Sequence, residues 1–281
     1  MVVQVKARSK SKLSDVAELE LSLLLEAIYR RFHYDFRRYS RSSLQRRLDD
    51  ALVALGCATL SGLQERLLHD DSVFPALLRY LTVQVTELFR DADFFLTLRR
   101  EILPVLRTYP SLRLWVAGCS TGEEAYSFAI VLAEEGLLDK AILYATDIDP
   151  ESLRAAEAGI CDSARLPLFE DNHRQSGAEV PLSTHYTAAY GSVVFNRSLR
   201  SKIVFSDHSL ATDGGFAEMQ LISCRNVLIY FEQALQSRAL GLFKDSLCRR
   251  GFLGLGARET LRFSGHERDF EEVAQRWYRR C

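Results

Sequence analysis

Between Ser14 and about Arg90, apolar residues recur three or four positions apart, at Leu21, Leu24, Leu25 and Ile28 and again at Leu44, Leu48, Leu52 and Leu55. This is the spacing of one face of an α-helix, and Gly56 and Gly62 punctuate the runs as helix ends do. The pattern predicts an all-helical N-terminal domain over residues 14–90. A further helix is expected at about Asp93 to Leu106, with a turn at Tyr109 to Ser111. The character then changes. Apolar runs at Leu112 to Ala117, Ala141 to Thr146, Lys202 to Phe205, Met219 to Cys224 and Phe252 to Leu255 read as strands, and a terminal pair ends near Tyr278. Between them, Glu123 to Glu135, Pro150 to Ala158 and Glu232 to Cys248 read as helices.

Strands alternating with helices build a mostly parallel sheet with helices on both faces. Residues 91–281 are therefore expected to form a doubly wound α/β domain of about seven strands. Residues about 160–200 break the alternation with Pro167, Gly177, Pro181, Gly191 and a polar stretch around Asp171 to Ser176. A structureless loop of that length is uncommon, so a small inserted subdomain is expected there.

A chain of 281 residues with 47% hydrophobic and 26% charged side chains suits a folded globular protein, which excludes a disordered chain or a stapled mini-protein. Its 36 basic and 37 acidic side chains nearly cancel, so no global field selects nucleic acid, a membrane surface or a polyanion. The six cysteines make no Cys-x-x-Cys pair and have no neighbouring histidine at metal-ligand spacing. Reduced thiols, a cytoplasmic location and no metal are expected. Met1 to Lys12 is basic but no apolar signal core follows, and Leu19 to Ile28 is interrupted by Glu20, Ser22 and Glu26.

Charge is unbalanced only locally. Residues 30 to 47 carry Arg30, Arg31, Arg37, Arg38, Arg41, Arg46 and Arg47 against the single acid Asp35. Such a segment is either a solvated helix face or a docking surface for an acidic partner. In an open α/β sheet, ligands bind at the carboxyl ends of the strands, where this chain has Gly118-Cys119-Ser120-Thr121-Gly122-Glu123-Glu124 and Asp147-Ile148-Asp149. The third glycine of a dinucleotide fingerprint is missing, and Glu123 and Glu124 would repel phosphate and attract an ammonium or hydroxyl donor. Asp147 follows its strand directly, where a carboxylate can accept hydrogen bonds from a ribose diol. An acidic loop with a ribose-binding acid suits S-adenosylmethionine, which is cationic and lacks phosphate. An aspartate after a strand is also often a helix cap, and Asp149-Pro150 looks like one.

Four segments add to this reading. Thr82-Val83-Gln84-Val85-Thr86-Glu87-Leu88-Phe89-Arg90-Asp91, then Trp115 to Ser127, then Ala145-Thr146-Asp147-Ile148-Asp149, then Ile222-Ser223-Cys224-Arg225-Asn226-Val227-Leu228-Ile229-Tyr230-Phe231 resemble, in that order, the CheR family of chemotaxis receptor methyltransferases. The similarity covers nearly the whole chain and is weakest between about 160 and 200. It implies a class I S-adenosylmethionine-dependent methyltransferase fold with a helical N-terminal domain and a small inserted β subdomain. The implied reaction moves a methyl group from S-adenosylmethionine to glutamate side chains on the cytoplasmic helices of methyl-accepting receptors, giving methyl esters and S-adenosylhomocysteine. Matched position by position, the resemblance makes Gln84, Thr86, Arg90, Glu124, Asp147, Ser209, Leu210, Asn226 and Val227 cofactor contacts. It makes Arg90 and Tyr230 the residues that orient the incoming carboxylate. Arg37, Arg38, Arg41, Arg46 and Arg47 then become a salt-sensitive docking surface for acidic receptor helices.

The chain departs from the family's usual residues at Gln84, Ala125 and Ser209, where asparagine, proline and asparagine are usual, and in Gly256-Ala257-Arg258-Glu259, where Gly-His-Ser-Glu is common. A family arginine of the insert has only Ala188 or Ala189 opposite it. Members that tether to a receptor's C-terminal pentapeptide carry a glycine-rich insertion here, whereas this chain has Gly191 alone, so no tether is expected. The alternative reading is a cofactor-binding sensor or scaffold of the same fold. A small-molecule methyltransferase would have no use for the arginine-rich helix.

Overall fold

In a computed structural model, residues 2–84 and 86–281 are described, residues 2–14 by their backbone alone. Val85 of the first motif and the side chains of the basic stretch Met1 to Lys12 lie outside the described residues. The chain divides into two compact units, Met1–Val83 with Tyr230–Leu235, and Gln84–Ile229 with Gln236–Cys281.

The first unit holds α1 (Val2–Phe32), α2 (Arg41–Leu55), α3 (Leu60–His69) and α4 (Val73–Leu81). The apolar periodicity is its core: Leu21, Leu24, Leu25 and Ile28 pack with Leu44, Leu48, Leu63, Leu67, Leu77 and Leu81, each at most 2% exposed. Gly56 ends α2 in the left-handed region at φ +66°, donating its NH to the carbonyls of Leu52 and Val53. Gly62 instead lies in the first turn of α3. Its NH donates to the Thr59 hydroxyl at 3.0 Å, so Thr59 is the cap that starts this helix.

In the second unit, α5 (Ala92–Thr97) passes through a π-turn at Leu98–Ile102 into α6 (Leu103–Leu106). There follow β1 (Leu112–Ala117), α7 (Glu123–Glu134), β2 (Ala141–Asp147), α8 (Pro150–Ala158), β3 (Ile160–Asp162), α9 (Leu166–Gln175), β4 (Tyr186–Ala189), β5 (Ser192–Phe195), α10 (Arg197–Arg200), β6 (Ile203–Asp207) and β7 (Met219–Cys224). The chain ends with α11 (Gln233–Ser246), β8 (Leu247–Leu255), β9 (Phe270–Ala274) and β10 (Trp277–Arg280).

Seven strands form one sheet in the order β6-β2-β1-β7-β8-β10-β9. Pairing is parallel from β6 to β8, and β10 runs antiparallel to both β8 and β9. This is the seven-stranded, mostly parallel sheet expected of a class I methyltransferase. The small insert is an antiparallel sheet, β3-β5-β4, with α9 between β3 and β4. One boundary differs from expectation. The helix expected to reach Cys248 stops at Ser246, because Leu247 pairs with Met219 and opens β8 five residues before the expected Phe252. Beneath the sheet, Trp277 stacks on Phe94 with centroids 4.3 Å apart, and Phe95 and Phe128 meet Phe94 edge-on. All six cysteines are unpaired thiols. No helix among the described residues is long and apolar enough to cross a membrane.

Strand order reverses at β1, which has β2 on one side and β7 on the other. A crevice at the carboxyl ends of such strands is where an open α/β sheet takes its ligand.

The arginine-rich segment of the first unit is less uniform than its sequence. Arg37 is tied to Asp35 at 2.9 Å and to Glu26 at 3.0 Å, and lies over the Tyr29 ring. Arg41 approaches Glu18 at 3.6 Å. Arg38 and Arg46 are exposed and have no carboxylate partner among the described residues. Arg47, expected on the docking surface, is interior at 9% exposure. Its guanidinium donates to the Ser43 carbonyl at 3.1 Å, the Ser43 hydroxyl at 2.8 Å and the Leu81 carbonyl, and faces the Tyr230 ring. Its charge is thus committed to closing the helical unit, since α2 and the end of α4 meet through it. Arg47→Ala is expected to lower unfolding stability by about 1–3 kcal/mol, because the Leu81 carbonyl loses its donor. Arg46→Ala should stay within about 0.5 kcal/mol of the parent, and urea denaturation of both variants checks the contrast.

Candidate functional site

The loop after β1 is built on left-handed backbone at Gly118 (φ +74°), Ser120 (φ +49°) and Gly122 (φ +92°). A Cβ on Gly118 would fall 2.4 Å from Cγ2 of Val227, so only glycine admits the chain this close to the loop after β7. Four of its backbone donors are engaged. The NH groups of Gly118 and Cys119 donate to the Thr146 carbonyl at 2.7 and 2.9 Å, and that of Gly122 to the Cys119 carbonyl at 2.9 Å. The Ser120 NH donates to Asp147 Oδ2 at 2.8 Å. A pyrophosphate cradle needs such donors unclaimed, so their engagement disfavours a dinucleotide here. The Ser120 hydroxyl is buried and has no partner among the described residues.

Asp147 also accepts from the Asp149 NH, at 3.0 Å through Oδ1. Burial pushes its carboxyl above the usual aspartate range, against the pull of the Ser120 and Asp149 NH groups. Each oxygen keeps a lone pair for a further donor. Asp149 is the cap its sequence suggested: it accepts from the Glu151 NH at 3.1 Å and the Ser152 hydroxyl at 2.8 Å, with Pro150 in the first helical position. The Gln84 amide also donates to Asp149, which anchors Gln84 to this cap.

The two acids opening α7 have different surroundings. Glu123 is buried, ion-paired with Arg165 of the insert at 2.6 Å and bonded to the Thr121 hydroxyl at 2.6 Å. The same guanidinium donates to the Thr86 carbonyl. Glu123 therefore contributes no net negative charge to a ligand, contrary to the expectation that both acids would. Glu124 accepts from the Ser223 hydroxyl at 2.6 Å and from Arg225 at 3.0 Å.

Arg225 has a side chain 0% exposed. One end of its guanidinium holds Glu124, and the other donates to the Arg90 carbonyl at 2.6 Å and to Asp91 at 2.8 Å. The group lies over the Phe94 ring at 4.2 Å. Arg90 thereby sits in a fixed turn whose flanking residues, Phe89 and Asp91, have φ of +53° and +55°. Such backbone costs about 1–3 kcal/mol per residue. Here it is offset by the Phe89 NH donating to the Ser127 hydroxyl at 2.8 Å and by the ion pair of Asp91 with Arg225.

The loop after β7 is held by one carboxylate. Glu259 accepts from the NH groups of Gly256, Asn226, Val227 and Leu228 at 2.7–2.9 Å. Burial raises its carboxyl, opposed by those four donors. They keep Asn226 at φ +61° and set Val227 against Gly118. After β6, the Ser209 NH donates to Asp213 at 2.8 Å and its hydroxyl accepts from the Ala211 NH at 3.3 Å, while Leu210 is buried. Tyr230 falls in the first unit, where its carbonyl accepts from the Ser40 NH at 2.8 Å. Ala188 and Ala189 lie exposed on β4. The buried thiols of Cys119 and Cys224 are pushed well up by burial, so neither is a nucleophile at neutral pH.

Sequence reasoning named Glu124, Asp147, Asn226 and Val227 but not the residues that hold them. Arg225 stands as the single charge in its quoted motif, which was the available signal, whereas Glu259 follows Arg258 and carried no such mark. Arg165 had none. The assembled set, two carboxylates and an unpartnered buried hydroxyl, fits a nucleoside that is cationic and free of phosphate.

Comparison with known proteins agrees. The family described as the SAM binding domain of CheR methyltransferase matches residues 84–279, and the CheR methyltransferase all-alpha domain matches residues 19–82. A Pseudomonas putida protein bearing the methyltransferase name Cher3 is 53% identical over 258 residues, 92% of this chain and 94% of that one. A chemotaxis protein methyltransferase of Listeria innocua is 29% identical over 229 residues, 81% of this chain and 84% of that one. Its Salmonella typhimurium counterpart is 29% identical over 263 residues, 90% and 84% of the two chains. The chain belongs to the CheR methyltransferase family, with residues 84–279 forming its S-adenosylmethionine-binding domain.

Proposed function

We propose that this protein methylates glutamate side chains on the cytoplasmic helices of methyl-accepting chemotaxis receptors, leaving methyl esters and S-adenosylhomocysteine. The observation that carries the reading is the buried network in which Arg225 joins Glu124 to the turn bearing Arg90, with Asp147 fixed at the neighbouring strand end. The names of the Listeria and Salmonella relatives support the same chemistry.

When bound, S-adenosylmethionine supplies a methyl group on a positively charged sulfur. In this reading Asp147 and Glu124 would hold it as hydrogen-bond acceptors, and Thr86, Leu210, Asn226 and Val227 would help to hold it. Gln84 and Ser209 serve through the loops they brace. A glutamate substrate, with an ordinary pKa of about 4.3, is already ionised at neutral pH, so no strong base is needed. The work is orientation, and Arg90 would align the incoming carboxylate. A near-attack arrangement of this kind can lower a barrier by as much as about 7–11 kcal/mol.

Receptor helices rich in carboxylates would meet Arg38 and Arg46, the exposed arginines, with Arg37 and Arg41 contributing what their own acids leave. The β4–β5 hairpin turns on Tyr190 and Gly191 alone, which favours docking without a pentapeptide tether. The protein would act on the cytoplasmic side, where those helices lie.

A labelled-methyl transfer assay on receptor-bearing membranes tests the proposal. Arg90→Ala should retain the fold by circular dichroism and lose at least about a hundredfold in turnover; unchanged turnover would remove Arg90 from the mechanism. Reversing charge at Arg38 and Arg46 should raise the apparent KM for receptor and flatten its salt dependence. Glu259→Gln replaces one acceptor oxygen by a donor facing backbone NH groups. It should cost about 1–3 kcal/mol of stability and weaken S-adenosylhomocysteine binding, both measured by calorimetry.

A further inference from the structure

Three side chains outside the cofactor crevice converge on one point. Glu134 closes α7, His173 lies on α9, and His185 ends the short turn Leu182–His185 before β4. Nε2 of His173 lies 2.8 Å and Nε2 of His185 2.9 Å from the same oxygen, Oε1 of Glu134. The potential ligand atoms all lie within 4.8 Å of one another. The three side chains are 2%, 12% and 7% exposed for His173, His185 and Glu134 respectively. Neither histidine has a place in the methyl-transfer reading.

We propose that Glu134, His173 and His185 bind a divalent transition-metal ion, with zinc the metal best suited to the set. A carboxylate oxygen can accept two N–H donors, and a shift of each imidazole proton from Nε2 to Nδ1 turns the same three atoms into ligands. One cation satisfies all three as ligands. Two neutral imidazoles and a carboxylate are the donors that borderline zinc accepts, at about 2.0–2.1 Å for nitrogen. Tetrahedral ligands at that distance stand about 3.3 Å apart, so each imidazole nitrogen draws back from Oε1 by about half an ångström and any pair nearer the 4.8 Å limit closes up, both by side-chain rotation. Water completes the fourth corner.

The surroundings suit the assignment. Oε2 of Glu134 is held by Arg99, which also reaches Glu135 at 3.3 Å. Holding a ligating carboxylate by its other oxygen is how an outer shell orients a metal ligand. Arg99 carries charge of the cation's own sign, and Glu134 and Glu135 balance it. The His173 ring packs against Phe89 at 4.8 Å, which fixes its direction. The ion would join the end of α7 to two separate points of the insert and so act as a structural clip.

The test uses untagged full-length protein stripped with a chelator. Zinc is titrated calorimetrically, and cobalt is substituted so that visible absorption reports the ligands. The expected result is one equivalent of zinc bound, a melting temperature that rises with zinc concentration, and cobalt bands of a tetrahedral nitrogen–oxygen site. His173→Gln and His185→Gln should each weaken binding at least about tenfold, while His208→Gln leaves it unchanged. Because the cobalt spectrum is taken on the parent protein, failure of a variant to fold does not leave the question open. No stoichiometric zinc uptake by the parent, a thiolate-to-cobalt charge-transfer band, or undiminished binding in the folded His173 and His185 variants would each overturn the proposal.

Discussion

The guanidinium of Arg225 is the tie on which the site's geometry depends. It is wholly enclosed, and charge so deep in a protein persists only when its partners replace water nearly completely. Two carboxylates, a carbonyl and an aromatic face do so, with Nε alone lacking a partner. Removing one partner from such an arrangement costs about 3–5 kcal/mol, because the remaining charge is stranded. The start of α7, the end of β7 and the strained turn at Arg90 are therefore fixed as one body. The arrangement also limits what Glu124 can offer a ligand, since its lone pairs are shared with Arg225 and Ser223.

The insert takes part in the same economy of charge. Arg165 reaches back from the end of the 3-10 turn at Ser163–Arg165 to neutralise Glu123 and to hold the carbonyl of Thr86. A loop reading as two adjacent acids thus presents one. Glu124 and Asp147 are each braced by donors, the first by Ser223 and Arg225 and the second by the Ser120 and Asp149 NH groups. Asp147, raised by burial, gives up its charge more readily on acidification than an exposed aspartate would.

Much of the fold was legible because burial dictates periodicity. The helical unit follows from apolar residues three and four apart, and the sheet from short apolar runs between helices. The end of α11 was not, since Leu247 and Cys248 continue an apolar pattern that helix and strand share. For the site, sequence supplied residue types and missed pairings. Arg47 belongs to an arginine-rich segment yet lies inside, because its partner carbonyl at Leu81 is 34 positions away. Arg165 finds its partners 42 and 79 positions off, and no local pattern marks such a contact. Gln84 stands at a motif position, and only the fold brings it to Asp149.

Glu259 grips main chain rather than side chains: the four hydrogen bonds it accepts come from the peptide groups of residues 226–228 and 256. A mutation at Leu228 leaves its peptide donor in place, whereas Val227 answers separately to Gly118 and Asn226 to its own left-handed backbone. The shape of the turn therefore answers to one side chain, and exchanging a neighbouring side chain does not by itself remove any of those four bonds.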